Sequence, residues 1–385
     1  MKISILSPDL SSNCLGRAYL LAKILQRHYK IEIVGPLFTE KIWPPVAKDK
    51  TITYKFIKIT GRIKAYWELK DLLRLVKGDI IYAVKPLFTS FGIGILLKII
   101  KKKPLILDID DWQMGFVKEY DKGIGFVRRY IFSAIQFYNM ASYWNSLIGE
   151  NLTYFADEIT VSNNFLKKKF GGTIIWHGRD PKAFNPKKFD KDLIKKKYKI
   201  NKNKKVVMFF GTPRPHKGIE DLIEAISLIE IPEVLLVIIG MDNKYSYCHY
   251  LNKIARKTLG KKFKTFGIQP FNKVPEFLSM SDVVVIPQRK NFATIGQIPA
   301  KVFDAMAMAK PIIATNVCDL PDILKGCGWI VEPEAPQKLA KIIEYILNNP
   351  EEAKKVGLKA RQKFIEKYSW DAIEKVLINI FKKYE

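Results

Sequence analysis

The chain has little cysteine and nothing that spaces it. Four residues, Cys14, Cys248, Cys318 and Cys327, are scattered through 385 positions with no CxxC pair. That excludes a zinc knuckle and a disulfide-stapled scaffold, and predicts a reducing, cytoplasmic setting. No uncharged apolar run reaches the roughly 18 residues of a membrane span. The opening MKISILSPDL reads directly as a strand, without the apolar core and small-residue cleavage site of a secretory leader. There is no GxGxxG and no GxxxxGK[ST], which argues against a dehydrogenase and a P-loop NTPase. Helix-turn-helix, zinc-finger and RNP signatures are also missing, so no nucleic-acid partner is expected. Acidic residues are scarce against basic ones, 38 to 65, leaving a net charge of +27. That surplus suits an anionic substrate or an anionic membrane surface. It equally suits a lysine-rich surface with no partner at all.

What is present is a globular composition, 48% hydrophobic and 27% charged, on a chain long enough for two cores. Short β-branched runs alternate with amphipathic stretches. KISIL (2–6), IEIVG (31–35), DIIYAV (79–84), PLILDI (104–109), DEITVS (157–162) and TIIW (173–176) read as strands, with helical patterns at 16–29 and 63–76. The pattern restarts with VVMFFG (206–211), VLLVIIG (234–240), FKTFG (263–267), VVVIP (283–287) and PIIAT (311–315), separated by helices at 218–229, 246–259, 272–280, 299–309 and 335–348. Strands alternating with helices imply parallel sheets. The fold class is therefore α/β, with two tandem Rossmann-like domains: residues 1–182, a Pro- and Lys-rich linker at 183–204, and residues 205–367. A terminal amphipathic helix follows at 368–385. Such an arrangement predicts a cleft where the carboxyl ends of both sheets meet one ligand.

Several segments carry candidate chemistry. In PDLSSNCLGR (8–17), Gly16 and Arg17 open the first helix, where anions are favoured, although a tight turn explains Gly16 as well. FFGTPRPHKG (209–218) places Gly211, Arg214, His216, Lys217 and Gly218 between a strand and a helix. Cations at a helix N-terminus oppose the dipole and make sense when a diphosphate sits there. In FATIGQIPAKVFDAMAMAKPIIAT (292–315), Thr294, Ile295, Gly296 and Gln297 offer backbone N–H groups, and Lys301 and Asp304 share a helix face. They could contact phosphate and ribose, or form an intrahelical pair on a solvated face. LDIDDW (107–112) gathers Asp108, Asp110 and Asp111 at a strand end, for an acceptor hydroxyl, a metal or a base, with one aspartate expected to cap the next helix. WHGRDPKAF (176–184) adds His177, a substrate contact or a structural histidine. The segment 115–145 mixes aromatic and basic residues, which suits either interfacial docking or packed helices.

The order of these motifs resembles the retaining GT-B glycosyltransferases of glycosyltransferase family 4 over nearly the whole chain. The match runs through LSPDLSSNCLGRAYLLAKIL, ADEITVSN, WHGRDPKAFNP, GTPRPHKGIEDLIEAI, FGIQPFNKVPEFLSMSDVVVIP, PAKVFDAMAMAKPIIAT and YSWDAIEKVL. The resemblance implies a hexosyltransferase-like enzyme that moves a sugar from a nucleotide-diphosphate sugar to a glycan or lipid-linked acceptor, with retention. It implies no separate cofactor and no bound metal. Lys217 would neutralise the diphosphate, with Arg214 replacing the family arginine whose place Thr212 takes. Gly16 would admit the diphosphate, Gly267 and Ile268 would hold the base and Asp304 the ribose, with Gly211, Ile295, Gly296 and Lys301 also at the donor site. Asp110 or Asp111 would stand where the family has its catalytic-pocket histidine, with Arg17 and His177 near substrate. Gly296 occupies the place of the first glutamate in the family's E-x₇-E motif. The terminal helix would cross back to the first domain, and the enzyme would sit in the cytoplasm, free or peripherally on the inner membrane face. The alternatives are a GT-B-fold nucleotide-sugar epimerase and a catalytically inactive sugar-nucleotide- or membrane-binding protein.

Overall fold

In the computed structural model, every residue is described except 62, 63, 140, 141 and 243, and Tyr66 is described in its backbone only. The start of the helix expected at 63–76 therefore lies outside the described residues. So does a short part of the 115–145 segment. The chain divides into two compact units. The first comprises Met1–His177, Ile295–Ile298 and Ile373–Glu385; the second comprises Gly178–Thr294 and Pro299–Ala372.

The first unit is built on a seven-stranded sheet: β1 (Lys2–Leu6), β2 (Lys30–Leu37), β3 (Thr53–Lys58), β4 (Ile80–Val84), β5 (Leu105–Ile109), β6 (Glu158–Val161) and β7 (Thr173–Ile174), in the order β3-β2-β1-β4-β5-β6-β7. Every pairing is parallel. β4 and β5 are buried at every position, as expected for central strands covered on both faces. The register sets Val84 beside Asp108 and Asp108 beside Thr160, so polar side chains collect at the carboxyl ends. The C-terminal residues of this unit pack on the same sheet. Phe381 meets Tyr82 edge-on at 5.5 Å, and Glu374 pairs with Arg27 and His28.

The second unit has six parallel strands: β8 (Lys205–Phe210), β9 (Val234–Met241), β10 (Phe263–Gly267), β11 (Val283–Ile286), β12 (Ile312–Thr315) and β13 (Trp329–Val331), ordered β10-β9-β8-β11-β12-β13. Its core joins Val207 and Phe209 of β8 to Leu222 and Ile226 of the helix Ile219–Ser227 and to Leu251 of the helix Ser246–Leu259. The 183–204 stretch is not a bare connection. It belongs to this unit, with Phe184, Lys195 and Ile200 buried and a short helix, Lys191–Lys197, capped by the Asp190 carboxylate.

The elements not foreseen include β3, β13 and the helix Pro350–Lys367. β3 is half-exposed and carries two lysines, so its apolar signal is weak. β13 has three residues. The helix Pro350–Lys367 buries only Ala353, Gly357, Ala360 and Phe364. Its buried stripe is made mostly of small residues, and Gly357 lies against Ala309, where an added Cβ would come within 2.3 Å of the Ala309 carbonyl oxygen.

Candidate functional site

In both units the chemistry-bearing residues lie beyond the carboxyl ends of the strands, where parallel sheets leave loops free to bind. In the first unit, β5 delivers Asp108, Asp110 and Asp111 there. Asp108 is fully buried and takes a bidentate contact from Arg17, at 2.9 Å from Nε and 2.8 Å from Nη2. The guanidinium also donates to the carbonyls of Ile175 and Trp176, at 2.8 and 3.3 Å. Arg17, expected near substrate, is thus committed to joining β5 and the segment after β7 to the first helix, Leu15–Leu25.

Asp110 and Asp111 share Lys85, whose Nζ lies 2.7 and 2.6 Å from their carboxylates. Lys85 was missed in the sequence, although a lysine ending the all-apolar strand IIYAV before Pro86 is itself a signal. Its φ is +66°, a conformation a non-glycine residue holds only when its surroundings enforce it. The Lys85 N–H donates to the Asp108 carbonyl and its own carbonyl accepts from Ser90 Oγ, which fixes that backbone. Burial pushes the Asp110 carboxyl up, to about 6, against the attraction of Lys85 and with the repulsion of Asp111 and Asp108. Asp111 is partly exposed and also accepts from Gln297 Nε2 at 2.9 Å. The N-cap position of the helix Gln113–Tyr120 falls to none of the three aspartates. Trp112 stands at the cap position, and Glu150 reaches the Met114 N–H instead.

Gly296 and Ile295, expected to offer backbone to a phosphate, pack inside this first unit. The Gly296 carbonyl accepts from the Trp112 N–H and Asn163 Nδ2, both at 3.2 Å, and an added Cβ would lie 2.4 Å from Trp112 Cβ. A glutamate cannot enter at that position without displacing Trp112. Ile295 packs against the same core. Beside Gly16 lies the Trp43 ring, 3.4 Å from where a Cβ would stand. His177 is buried.

In the second unit, the loop after β8 brings cations together. Gly211 has φ +107° and Gly240 φ +99°; an added Cβ on Gly240 would sit 2.8 Å from the Gly211 carbonyl carbon, so the β8 and β9 ends approach backbone to backbone. Gly218, at φ +59°, closes the 215–217 turn, and its Cβ would lie 2.0 Å from the Pro287 carbonyl oxygen. The Arg289 N–H donates to the His216 carbonyl from the same side. The turn is therefore held from beneath by residues 287–289. It carries Lys217, half-buried, with Nζ donating to the Thr212 carbonyl at 2.6 Å. Arg214 lies over the Tyr245 ring at 4.4 Å. Gly267 and Ile268 are exposed at the end of β10.

Lys301 and Asp304 do lie one turn apart on the helix Lys301–Ala307, but on a buried face, at 8% and 4% exposure. They are not each other's hydrogen-bonding partners. Asp304 is held by Arg179 through Nε, and its second oxygen lies 3.5 Å from Nη2. A carboxylate turned to an arginine in this way has its oxygens engaged before any ribose arrives. Arg179, passed over for its neighbour His177, is the partner the sequence did not reveal. Lys301 Nζ instead stands 3.7 Å from the centre of the Phe209 ring, and 3.8 Å from where a Gly211 Cβ would be.

Residues 190–363 match the family model described as glycosyl transferases group 1. Among curated proteins, the chain is 27% identical over 217 residues to an uncharacterized glycosyltransferase of Methanocaldococcus jannaschii, covering 54% of this chain and 53% of that protein. A second uncharacterized glycosyltransferase of the same organism is 30% identical over 181 residues, covering 46% and 47%. The chain spans about half the length of the curated relatives it matches. Among solved structures, the Anabaena protein HepE in complex with UDP-glucose aligns over 100% of both chains with a TM-score of 0.78 at 16% identity, a likeness of fold.

Proposed function

We propose, from the match of residues 190–363 to the family model described as glycosyl transferases group 1, that this chain transfers a sugar from a nucleotide-diphosphate sugar to an acceptor hydroxyl. The observation that carries the reading is the cationic loop after β8: Gly211 open toward Lys301, Lys217 fixed on a turn pinned by Gly218 and residues 287–289, and Arg214 steadied on Tyr245. HepE, whose fold this chain shares, was solved with UDP-glucose, which supports a donor of that class.

The reaction breaks the bond between the sugar's anomeric carbon and the diphosphate and forms one to the acceptor oxygen, with retention. The acceptor proton passes to the leaving diphosphate, whose growing charge Lys217 and Arg214 offset. Cations fixed in advance lower such a barrier by several kcal/mol, because they need no reorganisation as charge develops. In the first unit, Asp111 is the carboxylate accessible to an acceptor hydroxyl, while Lys85 and Gln297 orient it.

The acceptor side of this reading is a lipid-linked sugar at an anionic membrane surface. No helix among the described residues is long and apolar enough to cross a membrane. The 126–135 segment instead exposes Phe126, Val127, Ile131, Phe132 and Ile135 at 50% or more, with Arg128 exposed beside them. Apolar side chains flanked by arginine suit insertion at an anionic interface.

The test is incubation with a panel of nucleotide-sugars, following nucleotide release with and without lipid-phosphate acceptors. Acceptor-dependent release from one donor is expected. Release of an epimerised sugar without acceptor, or no turnover with any donor, contradicts the assignment.

A further inference from the structure

Lys301 is a lysine more than nine-tenths buried, and among the described residues no hydrogen bond or ion pair holds its amine. A buried ammonium ordinarily has a carboxylate or several carbonyls around it. The groups facing this one are few. The Phe209 ring of β8 lies beneath it, Lys217 approaches from the 215–217 turn, and Asp304 is one turn further along its own helix. Asp304 is already claimed by Arg179. Burial, and then the charge of Lys217, favour the neutral amine and hold its ionisation well below the usual lysine range; Asp304 opposes them only in part.

A second orphan lies at the same strand ends. Gln288 is 2% exposed, and neither its amide oxygen nor its amide nitrogen has a hydrogen-bond partner. Its neighbours Pro287 and Arg289 are the residues that pin the Lys217 turn. An amine without a hydrogen bond on the helix Lys301–Ala307 and an unpartnered amide just after β11 leave donors unsatisfied near the carboxyl ends of this sheet, where acceptor oxygens of an anion would meet them.

We propose that Lys301 joins Lys217 as a ligand of the donor diphosphate and takes up a proton from solvent as the anion binds, so that nucleotide binding carries one proton with it. This rests on the reading that the β8 loop holds a diphosphate. In the empty protein, burial without a countercharge and the nearby charge of Lys217 favour the neutral amine. The arriving anion supplies the countercharge that makes the ammonium stable. When the nucleotide leaves, the proton returns to solvent. The sign follows from linkage. Above the ionisation value of Lys301 in the empty protein, affinity falls by up to about tenfold per pH unit; below it, affinity is flat until the nucleotide's own phosphate protonates.

The experiment titrates the full chain calorimetrically with UDP, GDP and ADP at several pH values from about 8 upward, above the phosphate ionisation at about 6, in buffers of different ionisation enthalpy. The wild type should take up protons on binding, in an amount that rises with pH toward one per nucleotide bound. Lys301→Met keeps the length and suits the apolar surroundings, and should bind more weakly with no proton uptake. Lys301→Arg, charged throughout, should bind without uptake and with a flatter pH profile. A wild type that binds nucleotide with no proton uptake overturns the proposal, as does the same uptake in Lys301→Met. If none of the three nucleotides binds, the diphosphate reading itself fails, and the titration distinguishes this because it shows no binding heat in any buffer.

Discussion

Removing Arg179 should uncover the strongest single electrostatic dependence of the second unit. Arg179 and Asp304 are 9% and 5% exposed at their side chains, and the guanidinium also stacks on Phe271 at 4.9 Å. In Arg179→Met, the apolar stem is kept and Asp304 is left buried beside Lys301, whose charged form burial disfavours. An orphaned buried charge of this kind costs about 3–5 kcal/mol. The protein can limit the loss by protonating Asp304, which near pH 7 costs about 4 kcal/mol for a carboxyl that ordinarily ionises near 4. Both routes agree on roughly 4 kcal/mol, a drop of about 8–16 °C in Tm for a unit of this size. The pH dependence has a definite sign. Burial already raises the Asp304 ionisation, opposed by Arg179. Without the arginine the folded form keeps a proton that the unfolded form releases above about pH 4, so the variant loses stability relative to wild type as pH rises from there. Urea melts at several pH values measure this. The double variant Arg179→Met/Asp304→Asn should recover at least about 2 kcal/mol relative to Arg179→Met alone. A loss under about 1 kcal/mol, or strictly additive single effects, would refute the reasoning.

Three further outcomes follow from the same geometry. Lys217→Ala should lower kcat for sugar transfer by at least about a hundredfold, the scale of one lost charge-stabilising donor, with Tm within about 2 °C of wild type; initial-rate kinetics at saturating donor decide it. Gly296→Glu should destabilise by more than about 2 kcal/mol in thermal melts rather than gain activity, because the Trp112 Cβ already fills the space its Cβ needs. Phe126→Ser/Phe132→Ser should abolish sedimentation with phosphatidylglycerol vesicles while leaving Tm unchanged, since both side chains are more than half exposed. Undiminished vesicle binding would remove the membrane part of the proposal.

The strands were legible because each central one is an unbroken apolar run, and burial on both faces demands such runs. VLLVIIG and PLILDI announce β9 and β5 with little ambiguity. The helix Pro350–Lys367 was not legible for the opposite reason: close approach to Ala309 selects small residues, and a stripe of alanine and glycine carries no apolar signal. The cationic loop could be read from local spacing, since Gly211, Arg214, Lys217 and Gly218 lie within one turn of chain. The partners of the buried charges could not. Arg17 finds Asp108 across 91 positions and Arg179 finds Asp304 across 125, and nothing in either segment alone names the other. For the same reason the sequence did not show that Asp304 and Arg17 each have a protein partner. Lys85 owes its place to a left-handed backbone that its sequence neighbours do not require.

The central claim is that the loop after β8 and Lys301 hold a diphosphate. The most direct measurement is a crystal of the full chain soaked with UDP, GDP and ADP. The account predicts that one of them orders with its diphosphate oxygens within hydrogen-bond distance of Lys217 Nζ and Lys301 Nζ. A nucleotide ordered elsewhere, with those two amines turned away from its phosphates, would contradict it.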